Sequence, residues 1–194
     1  MNFSRKEIRD IVISTLVLAF AFSFPNISKM PEVFLVVGVA FLFHELIGHK
    51  FMAQRLGAAA EYRAWPTGLL LAILISIATF GKYTFAAPGA VVFSSIVRGR
   101  FAFTVHKLST KDVGKIGLAG PVINIILGAV SLAGLFITGI GLLGSAAYIN
   151  FFLALFNLLP IPPLDGEKVF SWNKWIWAAA IAIAAIGYFV LLAL

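Results

Sequence analysis

The apolar run from residue 32 to 54 is long enough to cross a bilayer, yet it contains His44-Glu45-Leu46-Ile47-Gly48-His49. A helix needs about 20 apolar residues to span about 30 Å of hydrocarbon, and ionisable groups at that depth must turn inward. Such a segment demands neighbours. Two imidazoles and a carboxylate are tolerable only against other helices or a wet cavity, so the chain must build a bundle around them. Composition agrees: of 194 residues 61% are hydrophobic and 12% charged, and the mean hydropathy is +1.00. These values describe one integral membrane domain over residues 1–194.

Further apolar runs give five expected spans, at about residues 10–25, 32–54, 116–143, 145–160 and 174–194. The segment from Gly68 to Phe80 is too short to cross and reads as re-entrant. Around it, residues 62–110 turn to Gly, Pro, aromatic and β-branched types. Tyr62 to Pro66, Tyr83 to Phe93 and Phe101 to Val105 there read as strands. The expected fold is a membrane all-α bundle of five to six transmembrane helices with a small membrane-associated β-hairpin or sheet region. An unpaired strand edge in it would accept an extended peptide as a further strand, and the Tyr83 to Phe93 stretch is the candidate.

Charge sets the orientation. If residues 68–80 do not cross, fourteen of the fifteen Lys and Arg share one side, including Lys50, Arg55, Arg63 and Lys168 to Lys174, and only Lys29 lies opposite. Positive residues favour the cytoplasm, so the amino end is expected inside and retained as an anchor. The net charge of +7 follows from this topology, and nucleic acid is excluded as a partner. With no cysteine there is no thiol catalysis and no disulfide.

The hexapeptide carries the chemistry. Zinc hydrolysis uses two neutral imidazoles on one helical face and a carboxylate beside the attacking water, the arrangement of His-Glu-x-x-His. Here the histidines are five apart. On a regular helix they would diverge by about 140°, against about 40° for a spacing of four. A π-turn absorbs one extra residue, and Gly48 is a suitable place for it. The spacing also resembles the His-Glu-x-x-x-His helix of the dipeptidyl peptidase III family.

A second constellation, Asn157-Leu158-Leu159-Pro160-Ile161-Pro162-Pro163-Leu164-Asp165-Gly166, breaks the fifth run with three prolines and places an aspartate near membrane depth. Asp165 would be a third ligand, with the fourth position left open. In Ala119-Gly120-Pro121-Val122-Ile123-Asn124 the small residues permit close helix packing, and Asn124 suits an interhelical hydrogen bond.

Together the two motifs resemble the site-two protease family of intramembrane zinc metalloproteases in its compact form, over roughly residues 33 to 175. The stretch from His49 to Gly57, the strand region from Phe85 to Gly89 and Ala119 to Asn124 are similar as well. What the resemblance implies is one Zn2+ per chain held by His44, His49 and Asp165, with Glu45 as general base and Asn157 contributing to catalysis. Phe85, Pro88, Gly89 and Asn124 would contact substrate.

The expected activity is therefore an intramembrane endopeptidase. Its partners would be transmembrane protein substrates and the bilayer, and it would be a multi-pass cell-membrane protein with its site toward the cytoplasm. Two other readings compete with it. One is a pseudoprotease impaired by the inserted residue, and the other is an ion or proton carrier using the same buried groups. His106, far from both motifs, reads as a solvated loop residue.

Overall fold

Helices dominate because apolar backbone in lipid must satisfy its hydrogen bonds within its own segment. The computed structural model describes residues 2–94, 96–98, 103–105 and 108–194; His106 and part of the Phe101 to Val105 stretch lie outside them. Helix α1 (Arg5–Ser23) is started by Ser4, whose hydroxyl accepts from the Glu7 amide. Helix α2 (Met30–Leu42) carries Pro31 in its first turn and runs through a π-helical segment, Phe43–Lys50, into α3 (Phe51–Arg55).

Among the described residues three helices are long and apolar enough to cross a membrane: Ile27–Arg55, Thr110–Thr138 and Lys174–Leu192. The second is α5 (Thr110–Thr138). It begins earlier than the apolar run suggested because Ser109 and Asp112 form a capping box, and it ends at Gly139 with φ of 69°. Two apolar helices are shorter, α4 (Pro66–Ala78) and α6 (Gly141–Asn157). Helix α7 (Asp165–Trp172) follows the proline-rich break, and α8 (Lys174–Leu192) completes the order.

The break itself is well satisfied. The Leu158 carbonyl accepts from Trp177 Nε1 of α8 at 2.7 Å. A Cβ at position 166 would lie 2.1 Å from that same oxygen, so glycine is required after Asp165.

The polar middle of the chain forms two antiparallel pairs. Strand β1 (Ala59–Ala64) pairs with β2 (Gly89–Ser94), with Glu61 opposite Val92 and Arg63 opposite Ala90; β3 (Ile96–Arg98) pairs with β4 (Phe103–Val105). The Trp65 amide donates to the Pro88 carbonyl at 2.8 Å. Residues 59, 61, 63 and 65 therefore point their backbone groups at β2.

The alternate amides of β1 turn to α1. Tyr62 N–H donates to Glu7 Oε1 at 2.9 Å, and Ala64 N–H approaches Asp10 Oδ2 at 3.4 Å. Carboxylates of α1 thus cover the outer edge of the sheet. By the same alternation Gly89, Val91 and Phe93 of β2 direct their backbone groups away from β1.

Lys50, counted above among the positive residues of one side, does not face solvent. It is fully buried, and its ammonium donates to both oxygens of buried Glu7 at 2.7 Å and to the Asn2 carbonyl at 2.8 Å. One ion pair therefore joins α1 to the end of the π-helical segment, and Glu7 passes the link on to β1. The apolar core beside it gathers Leu18, Val37, Phe41, Tyr62 and Leu153. Small residues Ala154, Ala180 and Ala184 let α6 and α8 close together.

Candidate metal centre

In a π-helix the repeat is i to i+5, so residues five apart stack on one face. The segment Phe43–Lys50 has this geometry. His44 and His49 consequently face each other with ring centroids 4.6 Å apart and Nε2 atoms 3.0 Å apart. The extra residue is absorbed, and the ground for reading the motif as impaired goes with it. Gly48 does more than tolerate the turn: a Cβ there would lie 2.6 Å from Gly120 Cα, so it brings α5 into backbone contact.

Each imidazole is held from behind. His44 Nδ1 meets Asn124 Oδ1, and His49 Nδ1 meets the Ile116 carbonyl at 2.7 Å. Because a carbonyl oxygen only accepts, both rings carry their proton on Nδ1, and both Nε2 lone pairs point inward. The orientation of Asn124 is set by its own donors, which go to the Ala40 carbonyl at 3.2 Å and Asn150 Oδ1 at 2.8 Å. Asn124 is fully buried. It therefore meets the back of His44 and not the cavity, because close packing at Gly120 brings this turn of α5 against the histidine helix.

Asp165 arrives from α7. Its Oδ2 lies 2.9 Å from His49 Nε2 and 3.5 Å from His44 Nε2, and the three donors lie within 4.8 Å of one another. Tetrahedral ligands at about 2.0–2.2 Å from zinc stand a little over 3 Å apart, so the cluster fits that ion. Two inward lone pairs at 3.0 Å also call for a cation between them. A Cβ at Gly120 would intrude here, 2.4 Å from His49 Nε2 and 2.8 Å from His44 Cε1.

Glu45 is buried, and its Oε2 has no hydrogen-bond partner among the described residues. It lines a cavity of about 530 Å³ together with His49, Asp165, Asn157, Lys168 and the strand residues from Gly89 to Phe93. On its other side a void of about 10 Å³, room for about one water, is bounded by His44, Pro88, Gly89 and Asn157. Asn157 donates Nδ2 to the Leu153 carbonyl at 3.0 Å. Phe85 packs edge-on against Phe156, with centroids 5.3 Å apart, and does not line the cavity.

Three contributors escaped the sequence reading. Ile116 acts through its carbonyl, which no side-chain pattern reveals. Gly120, read only as a small packing residue, lies one turn before Asn124 on the same face and leaves room for the two imidazoles. Lys168 donates to Asp165 Oδ1 at 2.8 Å. Burial works against its ammonium, but the carboxylates of Asp165, Glu45 and Glu167 outweigh this and raise its pKa above the ordinary lysine value.

Comparison with known proteins leads to the same chemistry. Residues 137–194 match the model of peptidase family M50. The chain is 42% identical over 198 residues to a Methanocaldococcus jannaschii protein named "Putative zinc metalloprotease MJ0611", covering 96% of this chain and 94% of that one. No solved structure matches it. A cluster of three side chains able to hold a metal ion, the matched family model and near full-length similarity to that relative agree: the chain belongs to peptidase family M50, the site-two protease family, and is a membrane zinc metalloprotease.

Proposed function

We propose that this protein is an intramembrane endopeptidase that cuts peptide bonds in or near transmembrane segments of other membrane proteins, with Glu45 as general base. The observation that carries the reading is the pairing of three convergent donors with an adjacent, unpartnered Glu45 oxygen on the cavity wall. Zinc bound by His44, His49 and Asp165 supplies Lewis-acid polarisation of the scissile carbonyl and acidifies water. Glu45 takes the proton of the attacking water and returns it to the leaving amine. Asn124 and the Ile116 carbonyl keep the two imidazoles in the ligating tautomer. Asn157, across the small void from Glu45, assists by holding the substrate backbone.

A helical substrate hides its carbonyls and must be held extended. The edge of β2 that carries the backbone groups of Gly89, Val91 and Phe93 borders the cavity, and the other edge of the sheet is covered by Glu7 and Asp10. Substrate therefore adds to β2, with Pro88 and Gly89 at the end nearest Glu45. The reading has five spans, α1 among them, with this cavity toward the cytoplasm, and the bias of positive charge to that side supports it.

Metal content and hydrolysis of an unfolded test substrate by detergent-purified protein check the assignment. Wild type and Glu45→Gln should each hold about one zinc per chain, as three intact protein ligands require. Glu45→Gln should lose about 10³-fold or more in rate, in the upper part of the range for a general base. His49→Ala should lose the metal. Hydrolysis persisting in Glu45→Gln would reject Glu45 as the base.

A further inference from the structure

The two carboxylate oxygens of Asp165 have different partners. Oδ2 faces the histidine pair, at 2.9 Å and 3.5 Å, whereas Oδ1 accepts from Lys168 Nζ at 2.8 Å. Nothing in a carboxylate enforces that division, since a free one also chelates through both oxygens. Beside two imidazoles, chelation would give the ion a fourth protein donor, so that the water a catalytic centre takes at its open position would become a fifth ligand. We infer that Lys168 is a positioning residue that prevents this, its ammonium holding Asp165 Oδ1 aside so that Oδ2 alone faces the ion. The inference rests on the zinc protease reading of the site given above.

Packing leaves Lys168 little choice of direction. Asp165 and Lys168 are three apart on α7 and share a face. Gly117 of α5 lies beneath both: a Cβ there would sit 3.0 Å from Lys168 Cβ, 3.3 Å from its Cδ and 3.2 Å from the Asp165 carbonyl oxygen. Gly114, three residues earlier, admits Trp172 in the same way, with a Cβ 2.4 Å from the Trp172 Cβ. Helix α7 is thus laid flat on α5, and the lysine stem is pressed along the contact. Its head reaches Asp165 and the cavity wall.

A lysine serving only solubility would leave α7 on its exposed face. The other cation lining the cavity, Arg63, pairs with Glu61 at 2.5 Å and lies 4.0 Å from Asp10, and among the described residues it makes no ion pair with Asp165, so it does not duplicate the role.

Cobalt(II) substitution reads this directly, because four-coordinate cobalt absorbs visible light far more strongly than cobalt with more ligands. Wild type, Lys168→Met and Lys168→Arg would be compared in detergent for cobalt spectrum, zinc affinity by chelator competition, and hydrolysis. Lys168→Met should still bind one metal yet lose about half or more of its visible absorption as Asp165 turns to chelate. Its kcat should fall about 10- to 100-fold with KM little changed. Lys168→Arg should restore the spectrum and most of the rate, since a guanidinium also holds one carboxylate oxygen. Lys168→Gln supplies the same readout should the methionine variant not fold.

A Lys168→Met protein with the wild-type spectrum and wild-type zinc affinity would overturn the inference. Wild type that binds cobalt but hydrolyses nothing would sink the protease reading alone, and the spectra would still decide Lys168. Wild type that takes up no metal would end both.

Discussion

At Gly120 a single methyl group would stand where the centre is assembled, 2.4 Å from His49 Nε2 and 2.7 Å from its Cε1. Alanine is the better helix former, so Gly120→Ala should leave α5 intact while pushing the imidazole out of place. Zinc affinity is expected to fall at least about 10- to 100-fold, the scale of losses when the support of a ligand is disturbed. Chelator competition measures the affinity, and circular dichroism checks that helix content is unchanged. Zinc binding equal to wild type would show that the rings can yield without losing the ion. The same residue-level logic explains Asn124, which has both amide hydrogens occupied and offers its oxygen to His44.

Among the elements, the π-helical segment and strand β2 matter most. Five-residue spacing brings two histidines together only because Phe43–Lys50 winds with an i to i+5 repeat, and Lys50 at its end is pinned by Glu7. Removing either partner of that pair would leave a bare charge in the interior, at a cost of about 3–5 kcal/mol. In β2 the alternation separates two kinds of amide. Val91 and Phe93 point theirs away from β1, whereas Val92, opposite Glu61, pairs with it. Val91→Pro and Phe93→Pro should therefore impair cleavage several-fold while zinc content stays near one per chain. Val92→Pro removes a ladder hydrogen bond and should lower Tm instead. Equal cleavage by all three variants would count against strand addition at this edge.

For the whole molecule the decisive question is how the helices sit in the bilayer. The five crossings proposed above would put Ser28, in the turn between α1 and α2, on the opposite side from Ser171 near the end of α7. Both residues are exposed. Because the chain has no cysteine, single substitutions give clean labelling sites. In intact cells Ser28→Cys should react with a membrane-impermeant thiol reagent, and Ser171→Cys should react only once the membrane is permeabilised. Labelling of both from one side would contradict the five-span arrangement and the cytoplasmic placement of the site.

The sequence by itself determined the class of the molecule and the identity of its reactive groups. Apolar runs of span length permit little but helices in lipid, and His44, Glu45, His49 and Asp165 are chemically conspicuous there. The strand region was legible from its Gly, Pro and aromatic residues, although the start of β2 at Gly89 was not, because that boundary is set by register with β1. Only the tertiary structure decided the rest. Which imidazole nitrogen is turned toward Asp165 and the cavity depends on the Ile116 carbonyl and on Asn124, 67 and 80 residues away from their histidines. Lys50 reads as a solvated cation until Glu7 is brought to it from 43 residues away. Hydrogen-bond partners and close glycine contacts are properties of helices meeting, and local pattern carries no record of which helix will meet which.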